Sequence, residues 1–479
     1  MHKALALAKT WIANPLVGLY AANAGWMLAA RAAWILSAVT IGIYVARKLG
    51  PYNYGVLNYA IALVGIFSII GTAGVEAIVI RQLVRDPSSR DRVLGNFFML
   101  RAVLLTAMGA ALGITLILID TTAEVKALCI ILGAGYLGFL LQGGGLYFQA
   151  TVQSKHVAIP ELLACGVTSL VRGLAAYFDW PLAVFAMAEA GNAAIYHFGC
   201  LFSYWRRIAS PWQWNWDWAE TWMLLKNALP LALVGVFSIV YARTDQLMVE
   251  HFIGPAAVGY YSLASRFTEN WAIAAGLLSI SFFPAVLTAA QVSKAAYLKQ
   301  LHRLYFLVFW CMAGAAAVTA LLAHPVILLL FGADYLPSVP VIRVFVWTLL
   351  ATALLNVFSQ WAINEKRLAL TAWSFGTGAL INALLNPILI NLHGINGAAW
   401  SSLISMPLGL VLCLLWQAES REHLRLMFRS ILTLPSFKLG EHEPKRTHSP
   451  PDNRDSDVEP GLPCRSRHRQ RDGADLPGH

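Results

Sequence analysis

Residues 49–60 read LGPYNYGVLNYA, and residues 253–264 read IGPAAVGYYSLA. Glycine, proline, glycine and alanine hold the same four places in both, and every equivalent pair is 204 residues apart. Each stretch lies between two apolar runs. Glycine after an apolar helix suits a left-handed C-terminal position, proline next stops continuation, and the second glycine frees the start of the following helix. The pair therefore reads as a turn used twice in a duplicated chain. Asn23-Ala24 precedes the first copy as Asn227-Ala228 precedes the second, at the same offset. A second echo, YFQATVQSKHVA (147–158) against FSQWAINEKRLA (358–369), has an offset of 211, consistent with a few inserted residues.

What lies between these turns sets the class. The chain has 479 residues, 58% of them hydrophobic and 13% charged, against about 25% charged in a soluble domain. Between residues 26 and 417, twelve apolar runs of about twenty residues follow one another, each long enough to cross roughly 30 Å of hydrocarbon. Barrel strands are short and alternate in polarity, whereas these runs are continuously apolar. The expectation is an all-α polytopic membrane protein of about twelve transmembrane helices. Both repeat offsets cross six runs, and an even number preserves orientation. That predicts two parallel six-helix bundles, 1–203 and 224–418, joined by a Trp-rich connection at 204–223 and followed by a tail at 419–479.

The basic residues orient the chain. The N-terminal segment and even-numbered connections carry 15 Lys and Arg, the odd-numbered ones three (Arg47, Lys48 and Lys126). This asymmetry predicts both termini in the cytoplasm and explains most of the +10 net charge as topology, not nucleic-acid binding. No removable signal peptide is expected at the N-terminus. Cys129, Cys165, Cys200, Cys311, Cys413 and Cys464 form no Cys-x-x-Cys pair and accompany no His cluster, which argues against disulfides and a zinc site. No Walker lysine motif is present, and no cofactor is expected. The four alternating tryptophans Trp212, Trp214, Trp216 and Trp218 read as an interfacial segment in preference to a sugar-stacking platform. The tail from about Phe437, rich in Pro, Arg and Asp, reads as disordered.

Charge inside hydrocarbon is costly and marks candidate sites. Arg31, Glu76, Arg172 and Glu189 fall in or near the ends of the first six spans. Span seven contains YARTDQ, with Tyr241, Arg243, Asp245 and Gln246; span eight carries Ser262, Arg266, Glu269 and Asn270 at helical spacing; span eleven adds Asn382 and Asn386. Two readings compete. These residues neutralise one another as Arg266–Glu269 and Arg243–Asp245, or with partners exchanged between spans seven and eight. Alternatively they face a water-filled cavity whose arginines hold an anionic substrate, since guanidinium matches phosphate oxygens bidentately.

Taken in order, ARKLGPYNYGVLNYA, RQLVRDPSSRDRVLGNFFMLR, LYFQATVQSKH, LPLALVGVFSIVYARTDQLM, LFGADYLPSVPVIRVFVW and INGAAWSSLIS resemble the bacterial polysaccharide flippases of the multidrug/oligosaccharidyl-lipid/polysaccharide exporter superfamily. The resemblance covers roughly residues 23–410. It implies a MATE-like fold, two lobes around a cleft, and residence in the bacterial cytoplasmic membrane. It further implies that an undecaprenyl-diphosphate-linked oligosaccharide is flipped for surface polysaccharide synthesis, beside a polymerase and glycosyltransferases. The substrate-binding candidates are Arg31, Arg172, Tyr241, Arg243, Gln246, Arg266 and Asn270. Candidates for coupling to H+ or Na+ are Glu76, Asp245 and Glu269. The alternatives are a drug/cation antiporter of the same fold, a membrane polymerase or glycosyltransferase, and a non-transporting scaffold. No enzymatic chemistry is expected.

Overall fold

Backbone amides in hydrocarbon have no water to bond, so a continuously apolar run satisfies them internally as helix. The computed structural model describes residues 15–72, 74–416 and 420–433, with side chains from residue 22 onward, and among these residues there is no strand. Lys3, Lys9, Cys464 and the tail from Phe437 lie outside the described residues.

The first helix, α1 (Pro15–Thr72), bends at Gly50, where φ is 68° and ψ 170°, so one hydrogen-bonded run carries two passes. It continues after Gly74 as α2 (Glu76–Arg85). The basic turn follows, where Ser88 donates through its hydroxyl and its amide to the Asp86 carboxylate and holds it below the usual carboxylate range. Then come α3 (Arg90–Leu118), and a fourth pass made of α4 (Ala123–Gly135), the 3-10 segment Tyr136–Gln142 and α5 (Gly143–Ala150). The first half ends with α6 (Lys155–Tyr177) and α7 (Leu182–Arg207).

The second half begins at α8 (Trp218–Phe252), capped by Asp217, whose carboxylate accepts from the amides of Ala219 and Glu220. Gly254, at φ 117°, and Pro255 then start α9 (Pro255–Val292). After it come α10 (Lys294–Leu330), a tenth pass broken into α11 (Ser338–Phe345) and α12 (Thr348–Asn364), then α13 (Leu368–His393) and α14 (Ile395–Trp416). An amphipathic helix, α15 (Ser420–Leu432), ends the described chain. Among the described residues, ten segments are long and apolar enough to cross a membrane. The first is folded back at Gly50, and α7, 26 residues long, falls outside that set because it is more polar; together they account for the twelve passes expected. The fourth and tenth passes are both interrupted midway.

The quoted turns do more than reverse the chain. They lie back to back. A Cβ on Gly55 would sit 1.8 Å from the Pro255 carbonyl oxygen, and one on Gly259 would sit 2.1 Å from the Pro51 carbonyl oxygen. Only glycine permits that backbone contact. Tyr335, from the loop after α10, closes the same end. It is fully buried, its hydroxyl donates to the Ala46 carbonyl at 2.7 Å, and its ring meets Tyr54 and Tyr260 edge-on.

The Trp-rich connection is anchored by one indole. Trp214 packs on Gly143 and donates to the Tyr204 hydroxyl at 3.4 Å, while Trp212, Trp216 and Trp218 remain exposed. The five described cysteines are free thiols.

Candidate functional site

Below the glycine turns, one face of the second arm of α1 presents Tyr54, Asn58 and Gly65, at helical spacing, to the second half of the chain. Two arginines answer it. Arg266 of α9 extends its guanidinium over the Tyr54 ring, 5.4 Å from the centroid, and donates to Asn58 Oδ1 at 3.4 Å. Arg243 of α8 lies against Gly65, where its Cγ and Nε would be 3.9 Å from an added Cβ. Arg266 is eleven residues into α9, about 16 Å from the turn, and Arg243 is about 13 Å from its end of α8. Both are deep enough to make an uncompensated charge expensive.

Compensation is partial. Arg243 pairs with Glu269 of α9 at 3.6 Å, so spans seven and eight do exchange a partner. Arg172 of α6 is bonded to Glu189 of α7 and lies in electrostatic range of Arg266. Arg266 itself has no carboxylate within 4 Å among the described residues. Three cations and two carboxylates thus share this region, and Arg266, Glu269 and Asn270 are solvent- or lipid-accessible. Beside Glu189 lies a cavity of about 210 Å³, lined among others by Tyr136, Phe139 and Asn192. Arg31 stands apart, about 28 Å along the first arm from Gly50, exposed and stacked over Trp34.

Asp245 does not join Arg243. Two residues along a helix is about 200° of rotation, and that places the carboxylate on the opposite side of α8. There it is buried and accepts hydrogen bonds from the Tyr261 hydroxyl, the Ser402 hydroxyl and Asn386 Nδ2. Asn386 Nδ2 also reaches Asn382 Oδ1 at 2.9 Å, and Asn382 Nδ2 reaches Ser402 Oγ at 3.2 Å. The Tyr241 hydroxyl donates to the Ser402 carbonyl at 3.1 Å on this same side. Gln246 is buried too, and its Oε1 and the Asn386 Oδ1 have no hydrogen-bond partner. No cation lies within 4 Å of Asp245 among the described residues. Nor do these residues contain a group of three or more His, Cys, Asp or Glu able to hold a metal ion.

Glu76 lies elsewhere again, paired with Arg101 of α3 at 2.7 Å. Arg101 was not singled out in the sequence. It is 1% exposed, and it also donates to the Gly71 carbonyl and Gln142 Oε1, with the Phe97 ring 4.9 Å from its guanidinium carbon. Its depth, eleven residues into α3, was the available signal.

This architecture has known counterparts. A model of the polysaccharide biosynthesis protein family matches residues 20–288, and the chain belongs to that family. No curated protein matches it. Among solved structures it is similar to lipid II flippase MurJ in an inward closed conformation, at TM-score 0.64 and 14% identity, covering 85% of this chain and 91% of that one. It is likewise similar to a multidrug resistance MATE family transporter of the MOP superfamily in an inward-facing conformation, at TM-score 0.62 and 14% identity, with 84% and 96% covered. A MOP superfamily transporter from Pyrococcus furiosus matches at TM-score 0.57 and 14% identity, covering 87% and 96%. The chain is therefore a multi-pass helical membrane protein with the fold of MOP superfamily transporters and flippases.

Proposed function

We propose that this protein flips an undecaprenyl-diphosphate-linked oligosaccharide from the inner to the outer leaflet of the bacterial cytoplasmic membrane, for surface polysaccharide synthesis. The observation that carries this reading is Arg266, deep in its span at the interface between the halves and without a carboxylate partner. A diphosphate crossing hydrocarbon bears a prohibitive desolvation cost unless fixed cations replace its water. Arg266, with Arg243 and Arg172 whose acidic partners can yield, offers that replacement. The polyprenyl chain stays in lipid.

The two six-helix bundles, 1–203 and 224–418, rock against each other about the connection at 204–223. The positive-inside asymmetry sets both termini in the cytoplasm and the glycine turns outside. The packed Gly55–Pro255 and Gly259–Pro51 contacts, sealed by Tyr335, then correspond to the state closed outward. Release requires these contacts to part.

Coupling is assigned to Asp245. A buried carboxylate among neutral donors, beside two unpartnered oxygen acceptors, is a setting that H+ or Na+ would complete. Glu269 is the second candidate, since it competes with the substrate for Arg243. Glu76 is held by Arg101 and is the weakest of the three. A polymerase and glycosyltransferases would supply and consume the lipid-linked sugar. A drug/cation antiporter of the same fold would favour an acidic cleft, and the unpaired Arg266 speaks against it.

The test is Arg243→Ala and Arg266→Ala, singly and together, scored by outer-leaflet appearance of lipid-linked sugar at matched protein levels. The double variant should lose tenfold or more. Wild-type flipping in all three contradicts the anion site.

A further inference from the structure

One charged surface lies outside the interface between the halves. Helix α15 docks along the start of α10 through one face. Its His423 is buried, 3.1 Å from the Tyr305 hydroxyl and 4.2 Å ring to ring from Trp361. The Trp310 indole donates to the Ser430 carbonyl at 3.3 Å, and Lys294 pairs with Glu422 at 3.7 Å. The other face carries Arg421, Arg425 and Arg429, four residues apart in a single exposed stripe. Between that stripe and α10 opens a groove of about 1050 Å³, lined by Lys299, His302, Arg425 and Arg429 together with Leu298 and Phe428.

Its charges are unbalanced. Glu422, the acidic residue lining it, is engaged by Lys294, and among the described residues Lys299, Arg425 and Arg429 have no carboxylate within 4 Å. The Nε2 of His302 has no hydrogen-bond partner. Towards the C-terminal end of α15 the character changes, and Phe428 and Leu432 are 52% and 80% exposed.

The level in the membrane fits this gradient. Helix α10 is 37 residues, about 55 Å, against roughly 30 Å of hydrocarbon, so its first turns project beyond the bilayer core. Lys299 and His302 are about 8 and 12 Å from its start, and Trp310 about 24 Å. Helix α15 runs beside the stretch from Tyr305 to Trp310, where α10 enters hydrocarbon. Lys299, His302 and Arg425 therefore sit at headgroup depth, and the exposed Phe428 and Leu432 lie about one and two turns beyond Arg425 along α15, with Arg429 between them.

We propose that this groove binds an anionic phospholipid, its phosphate held by Lys299, Arg425, Arg429 and His302 and its acyl chains running over Phe428 and Leu432. Charge complementarity and the polar-to-apolar gradient select a lipid over a soluble anion, which has no use for the exposed Phe428 and Leu432. The leaflet that supplies it follows from the orientation proposed above; the binding itself does not depend on transport. A bound lipid would pin α15 across α10 and the neighbouring α12, which carries Trp361.

The test is native mass spectrometry of the full-length chain titrated with phosphatidylglycerol or phosphatidylcholine. The Lys299→Gln/Arg425→Gln/Arg429→Gln variant should retain at least fivefold less phosphatidylglycerol than the wild type, with phosphatidylcholine unchanged. The single Arg425→Gln variant should show an intermediate loss. A control removing exposed cations elsewhere, Arg81→Gln/Arg85→Gln/Arg206→Gln, should bind as the wild type does. Equal retention in wild type and triple variant overturns the proposal. A full-length chain without lipid preference that gains one when ended at Thr433 also overturns it, since residues 434–479 would then be the occupant. A wild type that retains phosphatidylglycerol in preference to the triple variant, yet flips no lipid-linked sugar, would count against the transport reading alone.

Discussion

Among the described residues each half buries one Arg or acidic side chain, Arg101 in the first and Asp245 in the second, and the two are buried differently. Arg101 in the first half meets an opposite charge: Glu76 neutralises it, and the Gly71 carbonyl and Gln142 Oε1 accept from its terminal nitrogens, while its Nε has no hydrogen-bond partner. Asp245 in the second half meets only neutral donors, from Tyr261, Ser402 and Asn386. A neutralised ion pair fastens helices and asks for no further ion. Under the proposed function, the Asp245 carboxylate among hydroxyls and amides is the one that a transported or driving cation would complete. The contrast would then set a structural charge apart from a working one, although both are rare residues in apolar spans.

The contrast breaks first at Arg101. Arg101→Ala leaves Glu76 and two acceptors unpaired in α1, α2 and the fourth pass, and should cost about 3–5 kcal/mol, the usual loss when one partner of a buried pair is removed. Thermal unfolding in detergent reads it; a wild-type midpoint would show that the pair fastens nothing. Next come the turns through which the halves touch. Gly55→Ala places a methyl group within covalent distance of the Pro255 carbonyl, so the outer end cannot close. Flipping should fall about tenfold, and a cysteine at Asn58 should react from outside more readily than in the Gly55 background; an unchanged labelling rate contradicts the gate.

Asp245→Asn should behave in the opposite way to Arg101→Ala. It keeps the shape while removing the charge, so the unfolding midpoint should hold while the dependence of transport on H+ or Na+ disappears. Instability comparable to that of Arg101→Ala would make both charges structural. Glu76→Gln sharpens the point from the other side. It should cost about 1–2 kcal/mol, as for a charged hydrogen bond replaced by a neutral one, and leave the ion dependence of transport as it was.

The smallest effect concerns α15. Burial pushes His423 down to about 4 from its ordinary 6.5. The undocked helix therefore takes up a proton that the docked one refuses, so docking is at full strength above about 6.5 and weakens as pH falls towards about 4. Protection of the α15 amides, with the intrinsic pH dependence of exchange divided out, should fall across that window, and His423→Gln should remove the fall. A pH-independent protection in the wild type would show that the ring is not buried in solution.

The fold was legible because its causes are local. Continuous apolar runs allow only helices in a bilayer, and Gly-Pro after such a run stops it, as Gly50 and Gly254 do with their positive φ values. The site was only half legible. Arg243 and Asp245 stand two apart in YARTDQ and read as one motif, yet the helix turns them to opposite sides, one towards α1 and one towards α13 and α14. Arg101 and Tyr335 were missed for a related reason. A lone arginine eleven residues into its helix carries a signal of depth but none of spacing, and a tyrosine in a short loop carries neither; their roles come from Glu76 25 residues away and Ala46 289 residues away.

The most direct measurement reconstitutes the purified chain in vesicles carrying undecaprenyl-diphosphate-linked oligosaccharide and follows the sugar's exposure to an external glycosidase. The expected result is time-dependent exposure by the wild type and a loss of tenfold or more in the Arg243→Ala/Arg266→Ala variant. Vesicles that leave the sugar protected while moving an organic cation down an ion gradient would contradict the flippase reading and establish the antiporter in its place.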